Sequence, residues 1–229
     1  HTMAGRTMGT TYHITVVAGR SQDLALVQKK IDGLLEQINQ SMSTYRPDSE
    51  ISRFNAVRKG EGPFKISPHF LRVMLAAREV YRLTGGAWDA TVHPLTDLWG
   101  FGNTEPPKAI PSDEAVAQAR QRIGFDHIEV AVNGFLKKKN AQVTLDLNSI
   151  AKGYGVEQVA LLLKEWGFTN FLVEIGGEVH AAGRKPDGNP WRVGINLPRK
   201  DAAFDAVYKA VALQDQAMAT SGDYRNYYQ

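Results

Sequence analysis

An α+β fold is predicted, a largely antiparallel sheet with helices packed against it. Three observations lead there. Apolar residues alternate with period two in several short segments. They recur at three and four residues in others. The two kinds of segment mix along the chain without a strict strand–helix–strand rhythm.

The elements follow in order. Residues 11–17 place Tyr12, Ile14 and Val16 on one side and Thr11, His13 and Thr15 on the other, as a half-buried strand does. Residues 23–42 read as a helix whose apolar face is Val27, Ile31, Leu34, Leu35 and Ile38. Pro47, Asp48 and Ser49 break the chain. Ser67 and Pro68 then start a second helix, with Ser as N-cap, and Gly85-Gly86 stops it. Residues 87–111, rich in Gly, Pro and Trp, read as a long loop. Ser112 caps a third helix that ends by Gly124. Residues 128–132 and 142–147 read as two strands, joined by a turn at Asn133-Gly134 or at Lys139-Asn140. Ser149 opens a fourth helix through Trp166, closed by Gly167. Residues 171–175, 191–195 and 206–213 read as strands, and another begins at Met218.

Composition narrows the function. The chain has 229 residues, 43% hydrophobic and 22% charged, which is ordinary globular usage and room for one large domain. The absence of cysteine excludes disulfides, thiolate metal sites and a cysteine nucleophile within this chain. The net charge of +3 carries no basic block beyond Lys137, Lys138 and Lys139, so nucleic acid is not an expected partner. No apolar run approaches the roughly 18–20 residues that span a bilayer. His1-Thr2-Met3 reads as a tag remnant, with residues 1–4 set apart from the domain. The six histidines show no zinc-ligand spacing.

Six segments could carry chemistry. Met8-Gly9-Thr10 precedes the first strand and by itself reads as a turn with a packing side chain. Tyr45 sits where the first helix yields to a loop; it could stack on a planar ring or cap the helix end. Gly85-Gly86-Ala87-Trp88-Asp89 allows close backbone approach and offers a carboxylate to a heterocycle N–H, although a Gly-Gly helix stop with an Asp turn has the same letters. The junction 146–155 puts small residues at a helix N-terminus, a ready anion site, with carbonyls near Ala151 able to ligate a hard cation. An ordinary cap at Asn148 or Ser149 is the plainer alternative. Glu174-Ile175-Gly176-Gly177-Glu178 ends an apolar strand in two glycines, and Thr220-Ser221-Gly222-Asp223 is another small-residue turn.

Together the segments carry a resemblance. In order they are MGTTYHITV, STYRPDSEISRFN, TGGAWDATVHPLTDLWGFG, DLNSIAKGYGVEQVA, VEIGGEV and ATSGDYRNYY. The chain is similar, block by block, to the FAD:protein FMN transferase (ApbE) family, from about Gly5 to Gln229. The resemblance implies a single ApbE-like, T-fold-type domain over residues 1–229. It implies splitting of FAD at its diphosphate, transfer of FMN through a phosphoester to a Thr or Ser of a target flavoprotein, and release of AMP. An FAD pyrophosphatase and a non-catalytic flavin-binding protein are the alternatives. It implies FAD contacts at Met8, Tyr45, Ala87, Trp88, Asp89, Asn148 and Tyr154, and a Mg²⁺ ligand at the Ala151 carbonyl. The acceptors it implies are membrane electron-transfer subunits. The setting is the periplasmic face of the bacterial inner membrane, with a lipoprotein anchor. The family pattern continues past the last block, so the C-terminal part of the fold, the catalytic group and further Mg²⁺ ligands are expected beyond Gln229. Exposed sheet edges then imply a homodimer.

Overall fold

The computed structural model describes residues 1–19, 22–58, 61–102, 107, 109–199, 201–203 and 206–222. These form two compact units, His1–Glu36 with Lys152–Gln229, and Gln37–Ala151. The architecture is α+β, as expected, with every strand pairing antiparallel.

The first unit is built on a five-stranded sheet of order β1-β2-β6-β7-β10. Its strands are β1 (Thr2–Thr7), β2 (Thr10–Val16), β6 (Phe171–Ile175), β7 (Glu178–Ala182) and β10 (Gln216–Met218). Alternation decides which face is buried. Tyr12, Ile14 and Val16 of β2 and Phe171, Val173 and Ile175 of β6 point one way. There they pack on Val27, Ile31 and Leu35 of α1 (Leu24–Met42) and on Val156, Val159 and Leu163 of α6 (Asn148–Glu165). On the opposite face, Val179 and Ala181 meet Trp191 of β8 (Trp191–Asn196) and Leu213 of β9 (Val207–Leu213). The Trp191 indole donates to the Ala182 carbonyl at 2.8 Å, so its one polar atom is satisfied where it is buried.

β1 lies outside every element the sequence pattern predicts. It takes in Thr2, Met3 and Ala4, the residues set apart as a tag remnant, and Met3 is buried in the core. Apart from Met3 the strand carries no large apolar residue, and its six residues pair with β2 from Thr2↔Thr15 to Thr7↔Thr10.

The second unit carries α2 (Glu50–Ala56), α3 (Pro68–Leu83), α4 (His93–Leu98), α5 (Asp113–Arg120) and a three-stranded sheet of order β3-β5-β4. Its strands are β3 (Phe64–Lys65), β4 (Ile128–Ala131) and β5 (Phe135–Lys138). The serine caps are as expected: Ser67 Oγ accepts from Phe70 N and Ser112 Oγ from Ala115 N. Two expectations are corrected. The long loop contains a helix, α4, whose Pro94 sits where a first-turn proline is tolerated. Residues 143–147 join no ladder, and Gln142 lies in a turn. The β4 partner is instead β5, through the Asn133-Gly134 turn, with Gly134 at φ 85°.

The reason for the second correction is a side chain. Leu145 N–H donates to Asn55 Oδ1 at 2.8 Å, and Asn55 Nδ2 donates to the Leu145 carbonyl at 2.9 Å. One amide side chain thus satisfies both groups that a neighbouring strand would have paired. Val143, Leu145 and Leu147 remain buried on one side, which is the alternation the sequence displays.

Candidate active site in two sequence blocks

In the second unit, the Trp88 loop and the start of α6 stand together. The approach begins at the end of α3. Gly86 N–H donates to the Tyr81 carbonyl at 2.9 Å and Gly85 N–H to Arg82 at 3.3 Å. That is the doubled helix stop that needs a left-handed residue after the cap, and Gly85 supplies it at φ 59°. The turn delivers Ala87 exposed and Trp88 and Asp89 half-buried. Trp88 N–H is held by Thr84 Oγ1, and its indole Nε1 donates to Ser149 Oγ at 3.2 Å, across 61 positions of sequence. Asp146 N–H donates to the Ala90 carbonyl at 2.7 Å, a second tie between the two blocks.

Asp89 has a defined task here. Its Oδ1 accepts from Thr91 N–H (2.8 Å) and Thr91 Oγ1 (2.6 Å), and its Oδ2 accepts from Phe125 N–H (3.1 Å). The carboxylate therefore shapes the loop from within. Removing it in Asp89→Ala leaves those donors without their acceptor. The expected loss is about 2 kcal/mol of stability, with weaker FAD binding as the loop relaxes. Urea denaturation and an FAD titration on the same sample check this. Weaker binding at unchanged stability would instead make the carboxylate a direct ligand of FAD.

Asn148 is the first residue of α6 and is exposed, as is Ser149. Its N–H is not open: it donates to Asp146 Oδ1 at 2.8 Å. The Ile150 and Ala151 N–H groups both donate to the Leu147 carbonyl. Asp146 thus closes a turn onto the first N–H of the helix, and the Asn148, Ile150 and Ala151 N–H groups, part of the row expected to await an anion, are already engaged by the chain. Ala151 lies in the first turn of the helix, not in the turn before it, and is buried. Tyr45, in the turn after α1, is 68% exposed, so its ring is available for stacking and is not a packed helix cap.

The first unit holds Met8 and Tyr154. Met8 and Gly9 form the two-residue loop between Thr7 and Thr10, at φ 49° and 72°. Both positive angles are what a tight hairpin turn demands. A methionine rarely adopts one, at a cost of about 1–2 kcal/mol. Its side chain packs against the core at Gly155, where an added Cβ would stand 2.8 Å from Met8 Cε. Tyr154, the neighbour of that glycine, is buried within α6. Beside it in the helix, Lys152 pairs with Glu178 at 2.9 Å. Nothing in the linear pattern singled out that pair, or the His93, Asp97 and Asp146 group around the start of α4.

Among the described residues, no group of three or more His, Asp or Glu side chains is gathered to hold a metal ion. The Ala151 carbonyl alone falls short of the octahedral oxygen set that Mg²⁺ takes. These residues do not by themselves build a Mg²⁺ site. Residues 223–229, most of the last family block, lie outside the described residues.

The family model for the ApbE family matches residues 8–229. The chain belongs to the ApbE family. Members of the family agree over almost its whole length. It is 43% identical over 228 residues to the FAD:protein FMN transferase of Vibrio cholerae, covering 99% of this chain and 67% of that one. It is 39% identical over 232 residues to the Haemophilus influenzae protein of the same name, again covering 99% and 67%. Against the solved flavin transferase ApbE of Vibrio cholerae the TM-score is 0.89 at 42% identity, over 100% of this chain and 73% of that one. The apo flavinyl transferase ApbE of Pseudomonas stutzeri gives 0.87 at 37% identity, over 100% and 71%. The chain thus spans about two thirds of the length of the curated family members it matches.

Proposed function

We propose that this chain acts as an FAD:protein FMN transferase. The observation that carries the reading is the tie between the Trp88 loop and the start of α6, which brings two ApbE family blocks to one place. An acceptor Thr or Ser hydroxyl attacks the FMN-side phosphorus of FAD. The bond from that phosphorus to the AMP phosphate oxygen breaks, AMP leaves, and the hydroxyl proton is released. Such a reaction needs positioning and charge neutralisation more than covalent help from the enzyme.

The chain's own residues supply the positioning. The exposed Tyr45 ring offers a stacking face to the isoalloxazine. Trp88 gives a flat surface beside Ser149, and Ala87, the residue before it, a small one. Asp89 keeps that loop in shape. Mg²⁺ belongs to the proposal through the family resemblance alone: the Ala151 carbonyl would be one ligand, and the ion would supply neutralisation of diphosphate charge. The acceptors are proposed to be membrane electron-transfer flavoprotein subunits at the periplasmic face of the inner membrane. The enzyme is proposed to be a lipid-anchored homodimer there. No helix among the described residues is long and apolar enough to cross a membrane.

The test is an intact-mass spectrum after incubation with FAD, Mg²⁺ and an acceptor fragment bearing the Thr motif. An acceptor heavier by one FMN moiety is the expected result. FAD consumed with the acceptor unmodified would replace the transferase with the pyrophosphatase. Intact FAD and unmodified acceptor would overturn both.

A further inference from the structure

One group of side chains in the second unit has no place in the reading above. His93 opens α4, Asp97 follows one turn later, and Asp146 stands two residues before α6. His93 Nε2 lies 3.3 Å from Asp97 Oδ2, and its Nδ1 lies 3.8 Å from Asp146 Oδ2. The histidine and Asp146 side chains are only 18% and 11% exposed, so water screens them little. A neutral imidazole carries one N–H and one lone pair, and would turn the lone pair on one carboxylate or the other. Only the imidazolium faces both with a proton. Asp146 is meanwhile tied to the first residue of α6: its Oδ1 takes the Asn148 N–H, and its own N–H is tied to the Ala90 carbonyl.

We propose that His93, as the imidazolium between Asp97 and Asp146, is a positioning residue for flavin binding: it fixes the Asp146 carboxylate and thereby the placement of Asn148 and Ser149. The proposal rests on the flavin reading for its ligand, and on geometry for the clamp. It assigns a role to a residue that would touch neither FAD nor acceptor.

The electrostatics agree in sign. Asp146 raises His93 above the ordinary histidine value, burial pulls the other way, and Asp97 adds to the rise. Among the described residues these two carboxylates are the charged groups facing the ring. A group whose folded pKa is raised holds its partners below that value and lets go as pH rises through it. The clamp is therefore complete on the acid side. It opens as the pH climbs past the raised His93 value.

The test follows the intact chain by NMR from about pH 5.5 to about pH 9, across the ordinary histidine range, with FAD titrations at the same points. The His93 ring should titrate above the ordinary value, and the Asn148 amide should shift with the same midpoint. FAD affinity should be flat on the acid side and fall through that midpoint. Asp97→Asn should move all three midpoints down by about one pH unit. His93→Gln should abolish the co-titration and weaken FAD binding about tenfold. Should that variant fail to fold, the Asp97→Asn shift decides. A His93 ring titrating at or below the ordinary value, or an Asn148 amide indifferent to it, overturns the clamp. Co-titration intact with no FAD binding at any pH overturns the flavin assignment and leaves the clamp standing.

Discussion

Glu50→Ala is expected to lower stability by about 4 kcal/mol, seen as a fall of about 10 °C in the thermal midpoint. Glu50 begins α2 and is 8% exposed. Its Oε1 accepts from Ser67 N–H at 2.5 Å, and its Oε2 accepts from Ser67 Oγ at 2.6 Å and Ser41 Oγ at 3.0 Å. One carboxylate thereby joins the end of α1, the start of α2 and the cap of α3. Ser67 has a double task, since its Oγ also accepts from Phe70 N–H to cap α3. Removing the carboxylate leaves a backbone N–H and two hydroxyls without their charged acceptor, away from water that could replace it. Glu50→Gln keeps one carbonyl acceptor but sets an N–H against a hydroxyl, so it should fall between wild type and alanine. Thermal and urea melts of the three proteins are the check. A Glu50→Ala midpoint within about 2 °C of wild type would show that the junction closes without the carboxylate.

That junction also shows what a linear reading reaches. Ser67-Pro68 announces a helix start by itself, because a cap acts over three residues. The α1 stripe and the alternation of β2 and β6 are legible for the same local reason. Glu50 is not: its partners are Ser41 and Ser67, 9 and 17 positions away. The Asn55 amide that keeps residues 142–147 out of a ladder reaches across 90 positions. Those residues alternate like a strand because they are buried like one, and only the source of their hydrogen bonds differs. β1 escapes notice for the opposite reason, having ladder bonds but little apolar pattern.

The site divides along the same line. Gly85-Gly86 and the 146–155 junction stand out because clustered small residues mark a helix end or let a backbone approach closely. Order then made six weak motifs into one strong resemblance. What each side chain does was less legible. Asp89 reads as a free acceptor in sequence and is turned inward by Thr91 and by Phe125, the latter 36 positions on. Met8 reads as an ordinary turn residue, whereas its left-handed backbone follows from the register Thr7↔Thr10, which is a property of two strands.

Gly5→Val is expected to cost about 3 kcal/mol, through its cross-strand neighbour. Gly5 pairs with Tyr12 between β1 and β2, and the Tyr12 ring lies over it. A Cβ at Gly5 would sit 2.5 Å from Tyr12 Cε1 and 2.8 Å from Cζ. The ring has no room to yield. Tyr12 is fully buried, packed with α1 and α6, and its hydroxyl donates to Asp32 Oδ1 at 2.6 Å. Burial and the Asp32 carboxylate together push that hydroxyl up to about 12. An acid raised in this way stabilises the fold below its ordinary value near 10 and loses that contribution as pH climbs toward 12. Valine therefore forces a choice between the ring's seat in the core and its bond to α1. Tyr12→Phe, which loses only the hydroxyl bond, should cost about 1 kcal/mol. Adding Tyr12→Leu to Gly5→Val should cost less than the sum of the two single changes, because the smaller side chain removes the clash. Urea denaturation of the set measures that coupling. Strict additivity would mean that the ring and the glycine do not constrain each other, and that β1 contributes its hydrogen bonds alone.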